Sequence, residues 1–531
     1  MALPSRLPNM WSHGWRDEVF SNLDRAWDLI IIGGGITGAG ILGEAVRHGK
    51  SALLVEAQDF SSGTSSRSTK LVHGGLRYLR QGHFLLTRKS VRERERLMRE
   101  GAGLIDNLGF SLAAFPGDQM PKWMYGMGLV MYDALAGKWA HEAQTREEII
   151  ERVPPLGSSK VTGGYRYFDA QTDDSRLVIR VLREAVRQGG VAINYAKASS
   201  LLRDAGGKVH GIVVTDTSPE GGGRTAEVKA KVVINATGAW ADDLRRELGQ
   251  DKRLRRIRGS HLTFTQDRVP IHEAVSMLHP RDQRAVFAVP WEGVTIVGTT
   301  DVDHGDLDKE PAISGDETTY ILEAVQKAFP GLEITDKDVI STWSGVRPVI
   351  DTGKSDPSKE SREHAIWRED GLLTITGGKL TTFALMARDA LAAVEDVLGP
   401  LEERSRVLDA APEDIDWPSA FTDMDKVRVL GRFGEEASAI VATPSEAQKI
   451  PGTIVLWSEL RQAARNEGVV TLADLLLRRA RLGLFLRDGG KEVMGRVREV
   501  AQPELGWDDA RWEREEAAYH EVISSAYGLP R

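Results

Sequence analysis

The chain has 531 residues, 41% hydrophobic and 27% charged, with a formal net charge of −8 and a pI near 5.9. Such values describe a globular protein of two or three domains with a large core, and they argue against a nucleic-acid partner. Cysteine is absent, which excludes disulfides, thiolate metal sites, thiol catalysis and a cysteine-linked flavin; no metal is expected.

Residues 1–26 read as a lead-in, with Trp11, Trp15 and Phe20 packing on the body and no secretory signal. The apolar run Leu29 to Ile32 predicts a buried parallel strand. It enters Gly33-Gly34-Gly35-Ile36-Thr37-Gly38, in which Gly33, Gly35 and Gly38 stand in G-x-G-x-x-G spacing. A helix follows over Ala39 to His48, and a second strand, Ala52 to Val55, ends on Glu56. Each part has a task in dinucleotide binding. Gly33 makes the turn, Gly35 lets backbone approach a pyrophosphate, and Gly38 lets helix pack on strand. The amides at the helix start, around Ile36 and Thr37, attract phosphates. Glu56, 21 residues after Gly35, suits an adenosine ribose.

The Ser/Thr/Gly-rich stretch 61–75 is bounded by structured segments and reads as a ligand-wrapping loop rather than a linker. Phe84 to Met98 predicts a charged helix with a solvated face. Lys122 to Ala140 is rich in Trp, Met and Tyr. It reads first as a buried helix over the active site and second as an interfacial segment at a membrane. Arg176 to Gln188 is a helix, 201–203 with 209–216 a hairpin, and Val232 to Asn235 a second buried strand running into Thr237-Gly238. Such a strand end beside the first one would touch the dinucleotide. Leu262 to Thr265, Ala285 to Pro290 and Thr295 to Thr300 predict an antiparallel substrate sheet. After a helix over Thr318 to Phe329 comes Ser344-Gly345-Val346-Arg347-Pro348. Leu373 to Thr376 is a further strand, leading through Gly377-Gly378-Lys379 into a helix over Phe383 to Leu398. Residues 401–417 read as a linker, and the remainder as helical, with one helix over Leu472 to Leu484. No run reaches the ~18 apolar residues of a spanning helix.

Several blocks carry a family resemblance: Ile31 to Gly38, Ser68-Thr69-Lys70-Leu71-Val72-His73-Gly74-Gly75-Leu76-Arg77-Tyr78-Leu79, Asn235 to Gly238, Gly259-Ser260-His261, Gly298-Thr299-Thr300-Asp301, Ser344 to Pro348 and Gly377 to Thr382. With these the chain resembles the FAD-dependent glycerol-3-phosphate dehydrogenases of the D-amino-acid-oxidase-like flavoprotein superfamily. Two departures stand out. Arg258 replaces the family's usual lysine, and the helix after Thr382 is less basic than in a membrane-bound member.

The resemblance implies an α/β fold: a Rossmann-like FAD-binding domain, an antiparallel β-sheet substrate domain and an all-helical C-terminal domain. The oxidoreductase domain would span 1–410, with FAD-binding parts about 25–102, 165–257 and 340–400 and cap parts about 103–164 and 258–339. The helical domain would span 411–531. Besides the glycine turn and Glu56, the residues implied to hold FAD are Thr64, Ser65, Ser66, Ser68, Lys70, Leu71, His73, Gly74 and Gly75 from the loop. Ala198, Thr237, Gly238 and Gly345 join them from the strands, and Gly378, Lys379, Leu380 and Thr381 from the last turn. The implied activity is oxidation of sn-glycerol 3-phosphate to dihydroxyacetone phosphate, with electrons passed to a quinone. A peripheral position on the cytoplasmic membrane and a homodimer would accompany it. Arg77, Arg347 and Lys379, each read as sitting beside a glycine turn, would grip the phosphate. Tyr78 would touch substrate, and His261 is the best candidate base by pKa. Open alternatives are an oxidase using oxygen, a related amine or amino-acid oxidase, and an inactive flavin-binding scaffold.

Overall fold

Two β-sheets and a helical C-terminal region organise the computed structural model. It describes residues 11–12, 14–76, 79, 84–116, 122–354, 360, 363–401, 406–442 and 444–530. The first sheet follows from the apolar runs. Trp27–Ile32 lies between Ala52–Val55 on one side and Thr225–Asn235 on the other, all parallel, with Ile32 opposite both Val55 and Asn235. Val191–Ile193 extends one edge, and Leu372–Gly377 with His364–Glu369 the other. Strands buried on both faces need no alternation, and Leu29 to Ile31 and Ala52 to Val55 are fully buried.

The helices Ile36–Arg47, Asp174–Arg187 and Phe383–Ala392 pack together against this sheet. Gly38 and Gly40 permit it. A Cβ on Gly38 would stand 1.9 Å from the Gly33 carbonyl, and one on Gly40 would stand 2.9 Å from the Phe383 ring. The hairpin is Ala196–Arg203 with Val209–Asp216, and the latter pairs antiparallel with the first half of Thr225–Asn235.

Among the described residues the second sheet has ten strands. Toward one edge Leu254–Thr265 pairs antiparallel with Val294–Gly298 and with Ser341–Ile350. Ala285–Trp291, Ala274–Leu278, Ile105–Ala114 and Gly163–Thr172 continue it. The last two were not anticipated. The glycines and scattered polar residues in both hide the alternation, and their pairing over ten residues is decided between the strands. Arg347 also differs from expectation: it lies within a strand opposite Ile257, not beside a turn.

Three helical readings change. Phe84–Glu100 is a helix, but Arg94 is buried and donates to Asp169 at 2.6 Å and to the Phe168 carbonyl at 2.9 Å, so its face is not all solvated. The helix Lys122–Ala136 buries Leu129 and Tyr132 yet leaves Trp123 60% and Met127 58% exposed, so it is buried on one face only. The stretch expected as one helix over 472–484 is two pieces, Asp474–Arg479 and Leu482–Phe485, broken at Arg481 with φ +63°. Burial of the Arg481 guanidinium against Asp174 and the Ser66 carbonyl, both at 2.9 Å, accounts for the break. Among the described residues no helix is long and apolar enough to cross a membrane.

Candidate active site

A single cavity of about 2310 Å³ runs from the glycine turn of the first sheet to the face of the second. At one end the strand Trp27–Ile32 turns at Gly33, whose φ of +117° and close approach to the Ala236 carbonyl leave no room for a side chain. Glu56, at the end of the neighbouring strand, accepts from the Gly34 amide at 2.6 Å and the Gln58 amide at 2.9 Å. Burial pushes its carboxyl upward against those two hydrogen bonds. Ser65 Oγ accepts from the Ile36 amide at 3.0 Å, binding the wrapping loop to the helix start.

The loop is fastened at several further points. Thr64 donates to the Val346 carbonyl at 2.5 Å, and Ser68 donates to Asp174 at 2.7 Å. Trp343 Nε1 donates to the Ser68 carbonyl at 3.2 Å, and Thr381 donates to the His73 carbonyl at 3.1 Å. Gly33, Gly35, Ile36, Thr37, Glu56, Thr64, Ser65, Ser68, Leu71, His73, Gly75, Ala198, Thr237, Gly238, Gly345, Gly378, Lys379, Leu380 and Thr381 all line the cavity.

Gly38, Ser66, Lys70 and Gly74 do not line it; they stand one layer behind. Gly38 is the helix-packing glycine. Gly74 is crowded by Tyr132 and its amide donates to Asp169 at 2.9 Å. Lys70 is fully buried and donates to the Ser66 carbonyl at 2.5 Å and to Asp174 at 2.8 Å. Burial and the nearby Arg481 push its ammonium down to about 7 despite Asp174. Lys70 therefore supports the loop from beneath.

At the other end the second sheet presents Arg347. It donates to Asp301 at 2.5 Å and to Thr299 at 2.8 Å, and all three line the cavity. A Cβ on Gly259, on the facing strand, would stand 2.2 Å from the Arg347 guanidinium, so a side chain there would displace Arg347 from its present position. Lys379 caps the turn before Phe383–Ala392, and its Nζ donates to Ser90 at 3.3 Å. His261 lies mid-strand, 0% exposed, stacked on Trp343 with ring centroids 5.0 Å apart. Its Nε2 meets the Thr69 hydroxyl at 2.9 Å, and Thr69 lines the cavity while His261 does not. Burial, with Arg347 and Lys70 nearby, holds the imidazole well below its usual range and hence neutral. Arg77 and Tyr78 lie outside the described residues.

Arg258, the departure noted in the sequence, pairs with Glu317, which also accepts from Ser260 at 2.8 Å and Thr300 at 2.6 Å. This group stiffens the strands around His261. Thr69, Arg284, Thr299 and Asp301 were not singled out as site residues. Three of them fall inside motif blocks, and only their neighbours' positions mark them as cavity-facing.

The glycine turn, the acid after the second strand and the clamped hydroxyl loop fit a dinucleotide. Gly33 and Gly35, where a Cβ would meet the Ala236 carbonyl and Ser65 Oγ, both lie on the cavity wall. Fold and cavity together define a flavoprotein oxidoreductase with a separate substrate sheet. Residues 28–393 match the family described as FAD dependent oxidoreductase, and 418–512 match the C-terminal domain of alpha-glycerophosphate oxidase. An aerobic glycerol-3-phosphate dehydrogenase of Staphylococcus aureus (strain USA300) is 38% identical over 386 residues, covering 71% of this chain and 69% of that one. The X-ray structure of the glycerol-3-phosphate dehydrogenase from Bacillus halodurans complexed with FAD has a TM-score of 0.75 at 28% identity, covering 97% of this chain and 98% of that one. An L-alpha-glycerophosphate oxidase from Mycoplasma pneumoniae with FAD bound shares the fold, with a TM-score of 0.57 at 16% identity over 72% of this chain and 98% of that one. The chain belongs to the FAD-dependent oxidoreductase family, and its cofactor is FAD.

Proposed function

We propose that the protein oxidises sn-glycerol 3-phosphate to dihydroxyacetone phosphate and hands the electrons to a quinone at the cytoplasmic membrane surface. The observation that carries this is the continuity of one cavity from the dinucleotide turn to a cationic wall at Arg347. The 38% identity to a glycerol-3-phosphate dehydrogenase supports it. Bound FAD supplies the two-electron acceptor for the hydride that leaves C2. The protein's own groups do the rest. Arg347, with its planar fork, and Lys379, as a point charge, hold the phosphate dianion and aim C2 inward. His261, neutral and buried, takes the C2 hydroxyl proton by way of Thr69, whose hydroxyl passes one proton on as it accepts another.

The quinone reading draws support from the apolar part of the cavity. Phe84, Met124, Met127 and Met131 line it, and all four are also exposed at the surface. Together with Val130 and Trp139 they form an apolar patch of the kind that rests on a lipid surface. Anaerobic addition of glycerol 3-phosphate to the purified yellow protein should bleach the flavin band. An unbleached spectrum would overturn the substrate assignment. Rapid reoxidation by oxygen, with none by a soluble quinone, would favour an oxidase.

A further inference from the structure

Asp301 is nearly buried, and each of its two oxygens holds a different arginine. Oδ1 accepts from Arg347 Nη1 and Oδ2 from Arg284 Nη2, both at 2.5 Å. Arg284 closes a tight turn in which its carbonyl accepts from the His279 amide at 2.8 Å and its own amide donates to Asp282 at 3.0 Å. The strand Ala285–Trp291 begins at the next residue, so the turn delivers the guanidinium to the end of the substrate sheet. Arg284, Asp301 and Arg347 all line the cavity, and both arginines are about a quarter exposed there, 27% and 24%. Among the described residues Asp301 is the one side chain that the Arg284 guanidinium hydrogen-bonds, and its Nε is buried with no partner.

We propose that Arg284 is a second phosphate-binding arginine, locked beside Arg347 by their shared Asp301, and that the pair selects a doubly charged phosphate monoester. This rests on the reading of glycerol 3-phosphate as substrate. The charges agree with it. Two guanidiniums sharing one carboxylate form a cluster with one net positive charge, and Lys379 lines the same cavity, which suits an anionic ligand. Asp301 holds one nitrogen of each arginine, which fixes the two guanidiniums relative to each other and leaves Arg284 further N–H donors for the ligand. Such an arrangement loses little side-chain freedom on binding, because the carboxylate has already ordered both arms.

The test uses the FAD-loaded enzyme carrying Arg284→Gln or Arg284→Lys. Two readouts are followed: flavin bleaching by glycerol 3-phosphate, and the Kd of inorganic phosphate read from perturbation of the flavin spectrum. Losing hydrogen bonds to a charged group should raise KM by about 30-fold in Arg284→Gln, with kcat changed less than about threefold. The phosphate Kd should weaken in parallel, and Arg284→Lys should recover part of both. Unchanged KM and phosphate Kd would reduce Arg284 to a structural partner of Asp301 and overturn the proposal. So would a loss confined to kcat with phosphate binding intact. If wild-type enzyme is not bleached by glycerol 3-phosphate, the substrate reading fails instead, and the phosphate Kd in wild type against Arg284→Gln still decides the role of Arg284.

Discussion

His261 is held between Trp343 and the strand end at Gly298, where a Cβ would stand 2.3 Å from its ring. Burial first, then Arg347 and Lys70, disfavour its protonation. A base read from the sequence alone would titrate near the free value of about 6.5; in this environment the inflection moves well below it. The rate of flavin reduction should therefore be flat from about pH 6.5 upward as far as this group is concerned, and should fall only at markedly lower pH. The same depression has a stability consequence. Below about pH 6.5 the unfolded chain binds a proton at this position that the native chain refuses, so stability falls as pH drops through that value. In His261→Ala the low-pH inflection should vanish and the reductive rate fall by about 10²–10⁴. Stopped-flow flavin reduction across pH checks both; a variant with the wild-type profile would identify another acceptor. Arg347→Ala should lower kcat/KM for glycerol 3-phosphate by at least about a hundredfold, the worth of a charge-assisted bidentate contact. Glycerol, lacking phosphate, should be affected little; equal losses on both compounds would signal misfolding.

At the scale of elements, the loop 61–75 is pinned by Thr64 to Val346, by Ser68 to Asp174 and by Thr381 to the His73 carbonyl. A loop so fastened can hold its cofactor without a covalent bond, and cysteine is absent from the chain. Acid precipitation should leave the flavin in the supernatant. Colour retained in the pellet would point to a histidine link, with His73 on the cavity wall the first suspect. The helix Lys122–Ala136 is the other element with a separable role. Its exposed Trp123 and Met127 present mostly apolar surface, and replacing both by Gln should weaken co-sedimentation with anionic lipid vesicles. Turnover with a water-soluble electron acceptor should persist. Undiminished vesicle binding would remove this helix from the membrane contact.

Across the whole molecule, the C-terminal helices reach beneath the FAD loop through buried charge. Arg479 donates to Asp59 at 2.7 Å from each of two nitrogens, and Arg478 joins at 2.5 Å. Arg481 meets Asp174 and the Ser66 carbonyl, while Arg432 meets Asp173 at 2.9 Å. Breaking one buried partner leaves an uncompensated charge. Asp59→Ala should therefore cost about 3–5 kcal/mol in denaturant unfolding and loosen FAD, seen as faster flavin loss on dilution. A stable variant with unaltered flavin retention would uncouple the C-terminal region from the cofactor.

What the sequence determined by itself is whatever local chemistry dictates. Apolar runs of four to six residues, glycines at fixed spacing and an acid at a strand end define the dinucleotide unit without reference to anything distant. The parallel pairing of Leu29–Ile32 with Val232–Asn235 follows from the same logic, since both are buried runs that lead into a glycine turn. What only the tertiary structure decided is everything that depends on partners far apart in the chain. Lys70 reads as a ligand-loop cation but is neutralised from beneath by Asp174, 104 residues away. Arg94 sits in a run of charges and is buried against Asp169, and Arg481 breaks a Leu- and Arg-rich stretch that local propensity reads as one helix. Arg284 carries no local mark and Asp301 none beyond its place in the Gly298 to Asp301 block, because only the register of the second sheet brings a turn and a strand end to Arg347.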